Sequence, residues 1–109
     1  MSLYHLIIYV PLSNADAVRK ALAENGAGSI GNYDSCSFSA RGIGRFRPLE
    51  GAQPHIGSEG SIEQVEEERI EVVVDEHILS SILKAVKAAH PYEEPAIHLW
   101  KMEDYKQHS

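Results

Sequence analysis

Three arginines stand close together in Arg41-Gly42-Ile43-Gly44-Arg45-Phe46-Arg47-Pro48, the only basic cluster of the chain. Glycine lets backbone amides converge on an anion, and Arg45 and Arg47 share one side if the segment is extended. Arg41, Gly42, Gly44, Arg45 and Arg47 are therefore candidate contacts for a small anionic ligand or a protein partner. The plainer alternative is a flexible hairpin with solvated arginines. A second constellation is His90 with Glu93 and Glu94 at a turn, His98 in the segment that follows, and Cys36 upstream. These residue types ligate divalent metals, but none of the six histidines shows a tight spacing such as H-E-x-x-H, and spacing alone does not supply convergence. The alternative is a structural turn, in which Pro91 and Pro95 fix φ. Cys36 is the single cysteine. It is either half of a Cys–His nucleophilic pair with His90 or His98, or a structural thiol. No G-x-S-x-G is present.

Gly26-Ala27-Gly28-Ser29-Ile30-Gly31 reproduces the G-x-G-x-x-G pattern in the wrong context. A dinucleotide site needs a strand before the glycines and a helix after them, so that pyrophosphate meets a helix N-terminus. Here a helix ends and an extended segment begins, which predicts a helix cap and a turn. Eight acids lie between Glu59 and Glu76, with Glu66-Glu67-Glu68 consecutive, and read as a solvated face.

Composition narrows the class. With 109 residues there is one domain, of about 13 Å radius of gyration if compact. The 43% hydrophobic content suffices for a core. No apolar run reaches the ~18 residues of a membrane span, and no signal peptide is recognisable. One cysteine allows no intrachain disulfide and suits a reducing cytosol. Ten basic against sixteen acidic residues, a formal charge of −6, argue against nucleic acid as a partner. The expectation is a cytoplasmic domain bound neither to membrane nor to nucleic acid.

The elements that must position these residues follow from periodicity. Tyr4–Val10 is β-branched and aromatic and stops at Pro11, which predicts a strand apolar on both faces. Ser13 or Asn14 would cap a helix with Val18, Ala21, Leu22 and Ala15 on its apolar stripe, closed by Asn25-Gly26. Residues 29–40 predict at best a weak strand. Residues 40–62 hold five of the eight glycines and predict a long loop. Arg69–Val74 alternates as a strand. Leu79, Ile82, Leu83 and Val86 follow the helical i, i+3, i+4, i+7 spacing up to His90-Pro91. Pro95–Met102 predicts a last strand. The order is βαββαβ, an α+β ferredoxin-like sandwich with a four-stranded antiparallel sheet and two helices on one face. The other face would carry Ile7, Tyr9, Val73 and Trp100 uncovered, which predicts a homo-oligomer.

Ala89-His90-Pro91-Tyr92-Glu93-Glu94-Pro95-Ala96 resembles the turn before the last strand of CutA-type proteins. It is more similar still to the domain inserted in the Nif-three-like (Ngg-one-interacting-factor) proteins. The resemblance continues through Gly28-x-x-Gly31-Asn32-Tyr33-Asp34-x-Cys36-x-Phe38, Gly42-x-Gly44-x-Phe46-x-Pro48, Gly51-Ala52-x-Pro54-x-Ile56-Gly57 and Glu68-x-Ile70-Glu71, and covers nearly the whole chain. It implies a PII/CutA-like trimeric module spanning residues 1–109. In the full-length family a dinuclear metal site lies in a separate, larger domain, for which 109 residues leave no room, so hydrolase and cyclohydrolase labels are not expected to carry over. In PII-like proteins the loop between the middle strands is the effector loop, and residues 40–62 hold that place by element order. The expected function is a non-enzymatic binding or regulatory module. The alternative is CutA-like binding of a divalent metal by His90, Glu93, Glu94, His98 and Cys36.

Overall fold

The structure, a computed structural model, describes residues 2–108. Strand β1 (Leu3–Pro11) is followed by helix α1 (Leu12–Glu24), β2 (Phe38–Phe46), β3 (Glu63–Asp75), α2 (Leu79–Ala89) and β4 (Ile97–Met102). The sheet order is β2-β3-β1-β4, and every neighbouring pair is antiparallel. This is the expected ferredoxin-like sandwich. Register explains the two faces. Tyr4, Leu6 and Ile8 lie opposite Val74, Val72 and Ile70, and this set turns toward the helices. Leu6, Ile8, Val10, Ile70 and Val74 are fully buried there against Ala15, Val18, Ile82 and Val86. The odd-numbered set of β1 faces away. No helix among the described residues is long and apolar enough to cross a membrane.

Several expected boundaries move, each for a visible reason. The segment expected as a long loop from residue 40 begins as strand: β2 runs to Phe46 because Phe38–Phe46 pairs residue for residue with Glu71–Glu63. Residues 29–37 are turns, with Gly31 and Ser35 at φ +57° and +59°. Thirteen residues of β3 carry this ribbon past the end of β1, whose Pro11 pairs with Glu67. The molecule is accordingly 51 Å long with a radius of gyration of 15.2 Å, larger than expected. Neither Ser13 nor Asn14 caps α1. The helix starts at Leu12 directly after Pro11, without a side-chain cap. Its other end is as expected. Ala27 N–H donates to Leu22 O at 3.0 Å and Gly26 N–H to Ala23 O at 3.2 Å, a Schellman closure with Gly26 at φ +94°. Gly28 lies so close to the Cys36 backbone that a Cβ would overlap it.

Two acids of the acidic run depart from the solvated face expected of it. Glu67 and Glu68 are 8% and 9% exposed, on opposite faces of β3. Glu68 accepts from Arg19 of α1 at 2.6 Å, and Arg19 also holds Asp16 at 2.6 Å and Ser39 at 3.2 Å. These bonds, with Glu68 first, raise the Arg19 pKa above its ordinary value. Arg19→Met should cost about 2 kcal/mol in urea unfolding, because Glu68 is left buried without its cation. Glu68→Leu in the Arg19→Met background should recover much of that loss, a coupling that a double-mutant cycle measures.

Candidate functional site

The sheet face turned away from the helices is half open. Ile7, Tyr9 and Val73 are half-buried on it, and Trp100 is 51% exposed. Tyr9 and His98 meet edge to face at 5.5 Å, His98 and Trp100 at 6.0 Å, and His5 packs by Trp100 at 6.1 Å. His5 also lies 3.0 Å from Glu71.

At one end of this face a cleft of about 770 Å³ opens between the sheet, the connection after β2 and the turn before β4. Its floor is low because the cleft-facing positions of β2 are Ala40, Gly42 and Gly44, which project almost nothing above the strand. The walls are Phe46, Pro54, His55, Ile56 and Tyr92. The backbone N–H of Gln53 donates to Glu93 Oε1 at 3.1 Å, which joins the two walls. Phe46 and Tyr92 stack tilted at 5.6 Å, with His55 6.4 Å from Tyr92. Glu67 occupies the floor. Its carboxylate lies where a Cβ on Gly44 would be, and its Oε2 accepts from Tyr92 Oη at 3.1 Å. Burial, and then the charge and hydrogen bond of Glu67, push the Tyr92 phenol well above its ordinary pKa, so it stays a donor.

Arg41, Gly42, Gly44, Arg45 and Arg47 all line this one cleft. Their form differs from the expected glycine loop. Gly42 and Gly44 are paired in the ladder with Glu67 and Val65, so they provide floor space and not a nest of free amides. Strand alternation sends Arg41 and Arg45 to the opposite side of β2 from the glycines.

The candidate metal set is not brought together. Among the described residues no three His, Cys, Asp or Glu converge as a metal site requires. His90 is 6% exposed with both ring nitrogens engaged: Nε2 is 2.7 Å from Tyr9 O, and Nδ1 accepts from Tyr92 N–H at 3.1 Å. That assigns a neutral ring protonated on Nε2. His98 packs among aromatics on the open face, and Glu93 holds the loop. Cys36 lies elsewhere, in a hollow with Arg19, Leu22, Ala27 and Val72. In the Pro-bounded turn, His90 and Glu93 bond the backbone of Tyr9, Tyr92 and Gln53. Sequence reasoning missed Glu67, Phe46, His55 and Tyr92. The alternation of β3 carried the signal for Glu67, but the run of three glutamates obscured it.

Comparison with known proteins agrees with this architecture. No family model matches the chain. A GTP cyclohydrolase 1 type 2 homolog of Halalkalibacterium halodurans is 46% identical over 101 residues, which are 93% of this chain and 27% of that protein. The structure of a Bacillus cereus protein related to NIF3 superposes with a TM-score of 0.83 at 40% identity, over 94% of this chain and 26% of that one. CutA of Archaeoglobus fulgidus, a periplasmic divalent cation tolerance protein, superposes with a TM-score of 0.66 at 22% identity, over 94% and 85%. The fold is that of the CutA/PII-like ferredoxin-like domains. Within that class the chain is similar to one segment of the NIF3-related proteins, and it spans about a quarter of the length of the curated relatives it matches.

Proposed function

We propose that this chain is a non-catalytic, oligomeric binding module of the kind inserted in NIF3-related proteins, with its ligand in the open-face cleft. The observation that carries the reading is the cleft itself. An empty volume of about 770 Å³, in the range of small-molecule sites, is walled by aromatic and aliphatic side chains around a single buried carboxylate. Among the described residues no nucleophile is paired with a base in it: His90 is spent on the backbone, and Cys36 lies in a different hollow. The apolar half of the open face, with Trp100 on its edge strand β4, is the surface on which copies would assemble. A trimer is the assembly that the resemblance implies.

Light scattering on the purified chain tests the assembly. Three times the 12.1 kDa chain mass is expected at micromolar concentration, and a monomer there would remove the oligomer from the proposal. Nuclear magnetic resonance titration with small organic ions tests the cleft. Shifts at the Gly42 and Gly44 amides support it, and shifts only at distant residues count against it.

A further inference from the structure

We infer that the cleft takes an organic cation, a primary ammonium or amidinium on a flat apolar body, whose charge is met by Glu67 while its body lies against Phe46 and Tyr92. This inference rests on the reading of the cleft as a ligand site and adds the chemistry of the ligand. The first ground is Glu67 itself. It is more than nine-tenths buried, yet no Lys, Arg or His pairs with it among the described residues. Arg69, the basic side chain beside it in β3 alternation, is bonded to Glu71 at 3.2 Å. One carboxylate oxygen takes the Tyr92 hydroxyl. The other, Oε1, has no hydrogen-bond partner among the described residues, on a side chain that lines the cleft. With only 8% of the residue exposed and no cation on it, this carboxylate is poorly solvated, and a bound cation offsets that cost.

The second ground is the wall. The rings of Phe46 and Tyr92, with centroids 5.6 Å apart and planes tilted by 60°, line the cleft, Tyr92 in contact with the carboxylate, and aromatic faces attract cations that have lost part of their hydration. The third is room. Ala40 and Gly42 leave space above the floor, with nothing within 4 Å of where a Cβ on Gly42 would be, while the Glu67 carboxylate takes the space over Gly44. An anion in the same place would meet the Glu67 charge at short range with little water between them.

The test is titration of the full chain with phenethylamine and benzamidine at neutral pH, with phenylacetate as the anionic match, followed by the backbone amide resonances of Gly42, Gly44 and Phe46. Both cations should shift them, and phenylacetate should not. Glu67→Gln keeps an acceptor for Tyr92 and removes the charge, so it should weaken cation binding about tenfold or more. Gly44→Ala keeps the charge but displaces the carboxylate, and should weaken binding as well. Phenylacetate binding as well as phenethylamine, or Glu67→Gln binding unchanged, would overturn the organic-cation assignment and leave the cleft as a ligand site. Silence toward all three compounds would overturn both. Loss of oligomer mass in Glu67→Gln would show a second copy's own cation in the cleft, and would overturn the inference in favour of an interface.

Discussion

His90→Ala should lower the unfolding free energy by about 3 kcal/mol in urea, the largest loss expected from any single polar side chain here. The ring is buried and is bonded on both sides, to Tyr9 O at the end of β1 and to Tyr92 N–H in the turn. Truncation leaves a cavity and two unpaired backbone groups. Ligand binding should fall with stability, because the turn that His90 holds carries Tyr92, and Tyr92 forms one wall of the cleft and bonds Glu67. A metal ligand would behave differently, since its loss would change metal content and leave the metal-free protein about as stable as before. The same geometry predicts a pH dependence. Burial lowers the His90 pKa below its ordinary 6.5, against weaker opposing effects of the Tyr9 carbonyl and Glu67. The unfolded chain then binds a proton at a pH where the folded one does not. Stability is complete above about 6.5 and is lost as pH falls below it, at no more than about 1.4 kcal/mol per pH unit for one proton. His90→Gln, which cannot titrate, should flatten that part of the melting-temperature profile. An unchanged profile would mean that another group carries the acid sensitivity.

The parts of this molecule that sequence made legible are those whose own periodicity decides their structure. β1, α2 and the last turns of α1 each bury one regular face, and the apolar spacing reports it directly. β2 could not be read that way. Phe38-Ser39-Ala40-Arg41-Gly42-Ile43-Gly44-Arg45-Phe46 has weak strand propensity, and its conformation comes from pairing with β3 along its whole length. A run of three glutamates likewise resembles a surface until the strand splits it, with Glu68 turned to Arg19 and Glu67 to the cleft. The arginine and glycine cluster supplies part of the cleft lining. Its glycines lie on the side of β2 opposite Arg41 and Arg45, with the Glu67 carboxylate over Gly44 and open space over Gly42. His90 stands near Glu93 and Glu94 in sequence, but that short distance says nothing of a bond to Tyr9, eighty-one positions away.

Trp100→Asp should leave the fold intact and dissolve the proposed assembly. The two effects separate because the residue lies on the far side of the sheet from the core. Leu6, Ile8, Ile70 and Val74 are fully buried under the helices, whereas Trp100 is 51% exposed on the open face. Its removal from a monomer costs only its contacts with His5 and His98, which at ring separations of about 6 Å amount to roughly 1 kcal/mol or less. In an assembly built on this face the same indole would be enclosed together with Ile7 and Val73, and a tryptophan enclosed in such a patch typically carries about 2 kcal/mol or more of association energy. An aspartate there would also place a charge in the proposed interface without a partner. The variant is therefore expected to run as a 12.1 kDa monomer by light scattering at concentrations where the parent chain is oligomeric, with nearly the parent's urea midpoint. Lys101→Ala serves as the control, because strand alternation turns Lys101 to the other face of β4 beside Leu99, and its oligomer mass should not change. An oligomer that survives Trp100→Asp would place the interface on the β2 or β4 edge, where backbone pairing would replace side-chain packing.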